Sequence, residues 1–229
     1  MIYCPTSQLY RNTEDRTYFM PDAELQKVGK IRDRRYQAII DAAIEEFSRK
    51  GFKATSVQAI ANRVGTSKAN IHYYFKNKET LYREVLDHIV ILWNSSFDQI
   101  QAEEEPAVAL ERMIRAKVSL SYTHANASRL FANEILQGAV HLENYLRNTQ
   151  REWVKSKISI IQSWIDAGKM DPVDPAHLIF LIWSSTQHYA DFETQVLTIL
   201  NRAEYEQEMI DSIADFLCQV ILKGCGLRP

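Results

Sequence analysis

Glycine and proline are scarce in this chain, seven and six among 229 residues. A β-sandwich or barrel draws heavily on both for its turns, whereas long helices joined by short connections need few of either. Cysteine is rarer still. Cys4, Cys218 and Cys225 form no close pair and no zinc-ligand spacing, so neither a disulfide framework nor a structural zinc is expected, and an odd, sparse set suits a reducing cytoplasm. No run approaches the ~20 apolar residues that cross a bilayer, so no membrane association is expected. The stretch from Met1 to Met20 places Arg11, Glu14, Asp15 and Arg16 among polar neighbours and lacks the apolar centre of a secretory signal. Residues 1–26 are read as a loosely ordered arm.

Catalytic signatures are missing as well. His72, His88, His124, His141, His177 and His188 build no HExxH and no His/Asp cluster at ligand spacing, and there is no GxSxG, P-loop or GxGxxG. His188 and Asp191 share a helix, but the sequence places no nucleophile beside them. No catalytic residue, metal or cofactor is expected.

What is present is an uneven distribution of charge. The net charge is −2, yet residues 27–83 carry 13 Lys/Arg against five Asp/Glu, a balance of +8, while residues 84–229 carry 12 against 20, a balance of −8. A basic segment on an acidic body is the footprint of a polyanion-binding module; the plainer alternative is chance clustering on solvated helix faces.

The basic segment is patterned for short helices. Ile39, Ile40, Ala43, Ile44 and Phe47 recur at three- and four-residue spacing from near Ile31, and the pattern stops at Gly51, a residue suited to a left-handed helix cap. Thr55 with Gln58 reads as a capping box opening a helix through Val64, Gly65 breaks it, Ser67 caps a second helix from Lys68 to Phe75, and Asn77 caps a third from Lys78 past Trp93. Two short helices around a tight glycine turn make a helix-turn-helix, whose core should gather Ile39, Phe47, Phe52, Ile60, Ile71, Phe75 and Leu81. Longer helices are expected at 106–122, 125–137, 141–167, 174–199 and 203–223, with Asp174 capping Pro175. The fold class is all-α: an N-terminal three-helix helix-turn-helix domain at 27–83 and a helical ligand-binding and dimerisation domain at 84–229.

The segment from Gly51-Phe52 through Thr55-Ser56-Val57, Ile60-Ala61, Gly65-Thr66-Ser67, Ile71-His72-Tyr73-Tyr74-Phe75 and Lys78 to Leu81 resembles the DNA-binding domain of the TetR family of bacterial regulators. Thr66 and His72 depart from it, where valine and an aromatic residue are usual. The resemblance implies a helix from Lys68 lying in the major groove, anchored by Ile71 and Phe75. Lys68, Asn70, His72, Tyr73 and Tyr74 are then candidates for base and phosphate contacts, with Thr55, Ser67 and Lys78 positioning the backbone and the Lys78 ammonium reaching a phosphate. It also implies a cytoplasmic homodimer on double-stranded operator DNA and a small-molecule effector.

In the acidic half, the stretch His177–Phe192, together with Ala127–Phe131 and Trp93, resembles the pyrimidine-utilisation regulators within that family. Independently of the resemblance, Phe180, Trp183, Ser184, Gln187 and Asp191 form one helix stripe. An indole one turn from an amide suits a flat heterocycle with an N–H/C=O edge, such as uracil or thymine. Phe180, Trp183, Gln187 and Trp93 are therefore candidate ligand contacts, with Lys117 and Arg115 as further cations in the same half. The stripe could instead be subunit interface, where tryptophan and tyrosine are enriched. Dimerisation is expected through the last two helices, using Ile179, Ile182, Leu197, Ile210, Ile213, Phe216 and Val220. Two other functions stay open at this point: a regulator of the same type sensing an unrelated molecule, and a helical adaptor binding only protein, which would leave the basic segment unexplained.

Overall fold

The protein is described from a computed structural model, over residues 22–94 and 100–228. Every element among these residues is helical: α1 (Asp22–Ala54), α2 (Val57–Val64), α3 (Lys68–Tyr74), α4 (Lys78–Asn94), α5 (Pro106–Thr123), α6 (Ala125–Leu136), α7 (Glu143–Tyr145), a π turn (Leu146–Gln150), α8 (Arg151–Asp166), α9 (Pro175–Asp191), α10 (Glu193–Ile199) and α11 (Gln207–Gly224). The expected arm, residues 1–26, lies almost wholly outside the described residues. The chain divides after Gln37, within α1; Ala38–Pro229 is one compact unit and holds every site described below. No described helix is long and apolar enough to cross a membrane.

Local chemistry explains most boundaries. Gly51 sits at φ 73°, ψ 170° and breaks the helical path of α1, which itself starts at Asp22 rather than near Ile31. Gly65 ends α2 in the left-handed region, at φ 72°. The Ser67 hydroxyl accepts from the Asn70 N–H, Asn77 Oδ1 from the Thr80 N–H and Asp174 Oδ1 from the His177 N–H, so three helix starts are capped as expected.

The α2 cap is different. Ser56, not Thr55, accepts from the Ala59 N–H, and the Gln58 amide donates to Asn62 instead of turning back. Thr55 is 2% exposed, and its hydroxyl donates to the carbonyls of Glu46 and Gly51. Tertiary burial has taken over the hydroxyl that a capping box would use.

Two longer helices are interrupted. The one expected at 141–167 contains the π turn. The one expected at 174–199 breaks at Phe192 (φ −111°, ψ 28°) between α9 and α10. There α6 holds both flanks: Ser128 donates to Asp191 at 2.5 Å and Arg129 to Glu193 at 2.5 Å.

Two groups of apolar side chains carry the packing. Around the helix-turn-helix, Ile39, Phe47, Ile60, Ile71, Phe75 and Leu81 are almost fully buried, each stabilising by roughly 1.5–3 kcal/mol, while Phe52 is half-buried at their edge. Glu46 ties α1 to α2 through Arg63 at 2.7 Å and pairs with Lys50 at 2.9 Å; these hydrogen bonds hold its carboxyl below the usual range. The second core gathers Leu110, Met113, Ile114, Trp164, Ile179, Ile182 and Leu217 from α5, α8, α9 and α11.

Candidate nucleic-acid interface and ligand cavity

Helix α3 presents two faces. Ile71 is buried, as is Phe75 at its C-cap, while Lys68 and His72 are exposed and Tyr73 is 64% exposed. Tyr74 is half-buried and meets Tyr73 edge-on, with centroids 5.2 Å apart. Lys68, His72 and Tyr73 thus lie on the outer surface, where a groove-reading helix needs its contacts. Asn70 is half-buried, and its amide donates to Thr66 Oγ1 at 2.7 Å, which leaves its carbonyl oxygen facing other partners. The threonine that departs from the family pattern is the one that orients Asn70.

Two sequence expectations need correction here. Thr55 is a buried link between α1 and the turn before α2, and its backbone N–H, expected to be free for a phosphate, donates to the Gly51 carbonyl at 3.3 Å. The Lys78 ammonium donates to the carbonyls of Phe52 (2.8 Å), Thr55 (3.0 Å) and Lys53 (3.3 Å) and lies 4.5 Å from the Phe52 ring centroid. It neutralises carbonyls left unpaired where α1 ends, and so fixes the loop preceding α2 instead of reaching outward.

A polar link absent from the sequence reading joins this half to the next. Tyr82 on α4 donates its hydroxyl to Glu134 Oε2 at 3.0 Å, and the other Glu134 oxygen takes the His141 backbone N–H at 2.8 Å and faces its ring nitrogen at 3.1 Å. The rings of Phe52, Tyr82 and His141 pack within 5.0 Å of one another by centroid. Burial, then the Glu134 charge, pushes the Tyr82 hydroxyl pKa well up. The one local signal was a charge at Glu134 on the buried stripe of Ala127 and Leu130.

The ligand side converges better. Trp93 from α4, Lys117 from α5, and Trp183 with Gln187 from α9 line one cavity of about 40 Å³, against the ~10–15 Å³ that one water needs. Five residues the sequence reading did not single out as contacts complete it: Val90, Asn94, Phe131, Tyr145 and Gln150. Lys117 is 2% exposed, with its ammonium 4.8 Å from the Trp93 ring centroid. Burial pushes its pKa down to about 8, against the pull of Asp191. Asn94 donates to the Tyr145 hydroxyl at 3.0 Å. The buried Gln150 Oε1 has no hydrogen-bond partner, and the half-buried Gln187 lines the same cavity. A buried acceptor of this kind is what an incoming N–H would satisfy.

Phe180, expected in the same site, points elsewhere. It is 51% exposed and packs edge-on to Trp183, with centroids 5.6 Å apart, on the outer side of that indole. Arg115 faces away too, pairing with Glu111 and Asp215. Among the residues expected at a subunit interface, Ile179, Ile182, Leu197, Ile210 and Ile213 are buried within the protomer, while Phe216 (55% exposed) and Val220 stand out on α11, with Leu181 out on α9. Periodicity shows that a helix has apolar faces; it does not say which one its own core takes.

Residues 39–85 match the family described as bacterial regulatory proteins, tetR family, and residues 86–228 match the YcdC-like protein, C-terminal region. The HTH-type transcriptional regulator RutR of Escherichia coli (strain K12) is 37% identical over 193 residues, 84% of this chain and 90% of RutR. The HTH-type transcriptional repressor NicS of Pseudomonas putida is 25% identical over 60% of this chain and 64% of its own length. Among solved structures, the ketosteroid transcriptional regulator KstR2 of Mycobacterium tuberculosis superposes with a TM-score of 0.63 at 18% identity, covering 83% of this chain and 94% of its own. AibR in complex with isovaleryl coenzyme A and operator DNA gives 0.63 at 18%, covering 81% and 97%.

Proposed function

The chain belongs to the TetR family of bacterial regulatory proteins and is a DNA-binding transcriptional regulator rather than an enzyme; within that role, we propose that it senses a pyrimidine base such as uracil or thymine in the cytoplasm and releases its operator when the base binds. The observation that carries the proposal is the convergence of Trp183 and Gln187, one turn apart on α9, with Lys117 and Trp93 on a single small cavity. The Trp183 indole offers a stacking face for a planar ring. Gln187 supplies one donor and one acceptor for the imide edge, and Lys117 donates to a ring carbonyl. The resemblance to pyrimidine-utilisation regulators points the same way.

We divide the chain into a DNA-binding part at 27–83 and a sensing part at 84–229, acting as a homodimer through α9 and α11. In the first part, Lys68, Asn70, His72 and Tyr73 are our candidates for operator contact, with Tyr74 supporting Tyr73 and Ser67 fixing the helix start. Lys78 and Thr55 act from behind by holding the loop before α2.

The route from ligand to DNA runs through α4 and α6. Helix α4 brings Trp93 to the cavity and Tyr82 to Glu134, while α6 brings Phe131 to the cavity and Glu134 to Tyr82. A ring that wedges Trp93 and Phe131 apart shifts both helices at the Tyr82–Glu134 bond, and with them the separation of the two recognition helices in the dimer. Release requires tighter binding to the DNA-incompetent form; a 100-fold difference, about 2.7 kcal/mol, is enough for a useful switch.

The test is an operator-binding titration with uracil, thymine, cytosine and an unrelated hydrophobic drug. Uracil or thymine should release the DNA. Release by the drug alone, with no calorimetric signal from any pyrimidine, sinks the pyrimidine reading and leaves a family member sensing something else.

A further inference from the structure

Phe131, Gln150 and Trp183 line the small cavity and also line a larger hollow of about 530 Å³ on its outer side. The walls of that hollow are apolar: Ile135 from α6, Leu146 from the π turn, Val154 from α8 and Phe180 from α9. Phe180 and Ile135 are left partly in water, which costs free energy unless something covers them. Arg151 and Lys155 complete the rim; the stems of such residues extend an apolar wall while their charges stay in solvent. Lys155 pairs with Glu152, and Arg151 has no ion pair among the described residues.

We propose that, besides the bare base, the sensor accepts a flat cyclic amide of the same kind carrying an apolar arm with an acidic end, and holds it more tightly. The ring occupies the inner cavity, the arm passes between Phe131, Gln150 and Trp183 into the hollow, and the acid meets Arg151 and Lys155. The inference rests on the pyrimidine reading of the inner cavity and adds a substrate class to it. Three observations support it: the two spaces share three side chains, the outer one is apolar where a hydrocarbon would lie, and its rim is cationic where the arm would end. A bare ring would use the polar contacts of the inner cavity and leave the outer hydrocarbon uncovered.

Calorimetry on the full chain with four probes tests this: uracil, and uracil bearing at one ring carbon a six-carbon arm that ends in methyl, carboxylate or ammonium. The methyl-ended arm should bind at least ten-fold tighter than uracil, and the carboxylate end at least ten-fold tighter than the ammonium end. Ile135→Ser should remove most of the gain from the arm without altering the affinity for uracil. Arg151→Glu combined with Lys155→Glu should reverse the order of the two charged ends. If uracil binds but the arms bind no tighter, the inference falls and the pyrimidine reading stands; if no probe binds, both fall. Arms that bind only by splitting a dimer, seen by sedimentation, would show that a second copy covers the hollow and would also overturn the inference.

Discussion

Tyr82 and Glu134 lie 52 positions apart and are joined by a buried 3.0 Å hydrogen bond that ties α4 to α6. Each helix also supplies a wall of the small cavity, Trp93 from α4 and Phe131 from α6, so the two helices that meet at this bond also meet at the cavity proposed to take the ligand. Tyr82→Phe keeps the ring packing against Phe47 and Phe52 and removes only the donor. The expected cost is about 1–3 kcal/mol, because Glu134 stays buried with one acceptor less satisfied. Urea unfolding with and without ligand measures it. The ligand-induced change in operator affinity should shrink, and an unchanged response would remove this bond from the coupling route.

Lys78→Met should loosen the loop before α2. A charged donor shared among three carbonyls stabilises by about 1.5–3 kcal/mol, so the variant should melt lower and bind all DNA sequences more weakly. Because the ammonium is engaged inside the protein, the slope of log affinity against log salt should stay close to wild type. A slope flatter by about one unit would put this charge on a phosphate instead.

Lys117 should give stability a particular pH dependence. Its pKa is lowered in the folded protein to about 8 from its ordinary 10.5, so between these values the unfolded chain holds more protons. Stability therefore rises with pH across that window, and the destabilisation is fully present below about pH 8. The amplitude is at most about 3 kcal/mol from about 1.36 kcal/mol per pH unit. Tyr82, Tyr205, Cys218 and Cys225, whose folded pKa values are raised by burial, act oppositely at the alkaline end. Subtracting the curve of Lys117→Met isolates the lysine, and the variant should be the more stable protein at neutral pH. A difference curve flat from pH 7 to 10.5 would contradict a buried, destabilised charge.

Gln187→Ala should lower uracil affinity by roughly 10–100-fold, the effect of leaving about 1–3 kcal/mol of buried hydrogen bonding unmet, with operator affinity in the absence of ligand unchanged. Trp183→Ala should do the same and also reduce stability, since its indole packs on Trp153 and Phe180. Calorimetry and mobility shift separate the two effects.

Phe216→Glu should yield monomers of native helicity with little operator affinity, since Phe216 is exposed on α11 beside Val220 and an isologous contact meets the same change on both subunits. Sedimentation at micromolar concentration is the check. A variant that remains dimeric places the interface elsewhere.

Sequence reasoning succeeded where one short segment carries the whole signal. Ser67, Asn77 and Asp174 act on their own helix ends, Gly51 kinks α1 three residues before it ends, and Trp183 with Gln187 needs only the helical repeat to be put on one side of α9. It failed where the partner comes from far along the chain. Nothing near Thr55 tells that its hydroxyl will be drawn to the Glu46 carbonyl, and nothing near Lys78 tells that three carbonyls await it. The break at Phe192 is held by Ser128 and Arg129, and the π turn obeys no period that apolar spacing can reveal. Tyr145 and Gln150 went unnoticed for that reason, while Glu134, a charge on an apolar stripe, could have been suspected.

The π turn at Leu146–Gln150 also bears on how this regulator could change its ligand. Such a turn holds an extra residue relative to an α-helix, and each residue of an α-helix turns the next by about 100°. Deleting a single residue here would let the segment relax to α geometry and rotate Tyr145 and everything before it relative to Gln150 and α8. The cavity wall would be rebuilt in one genetic event while α3 and the surface that reads DNA kept every residue. The loss of one residue at this turn would therefore reshape the cavity proposed to take the ligand and leave the residues of α3 untouched.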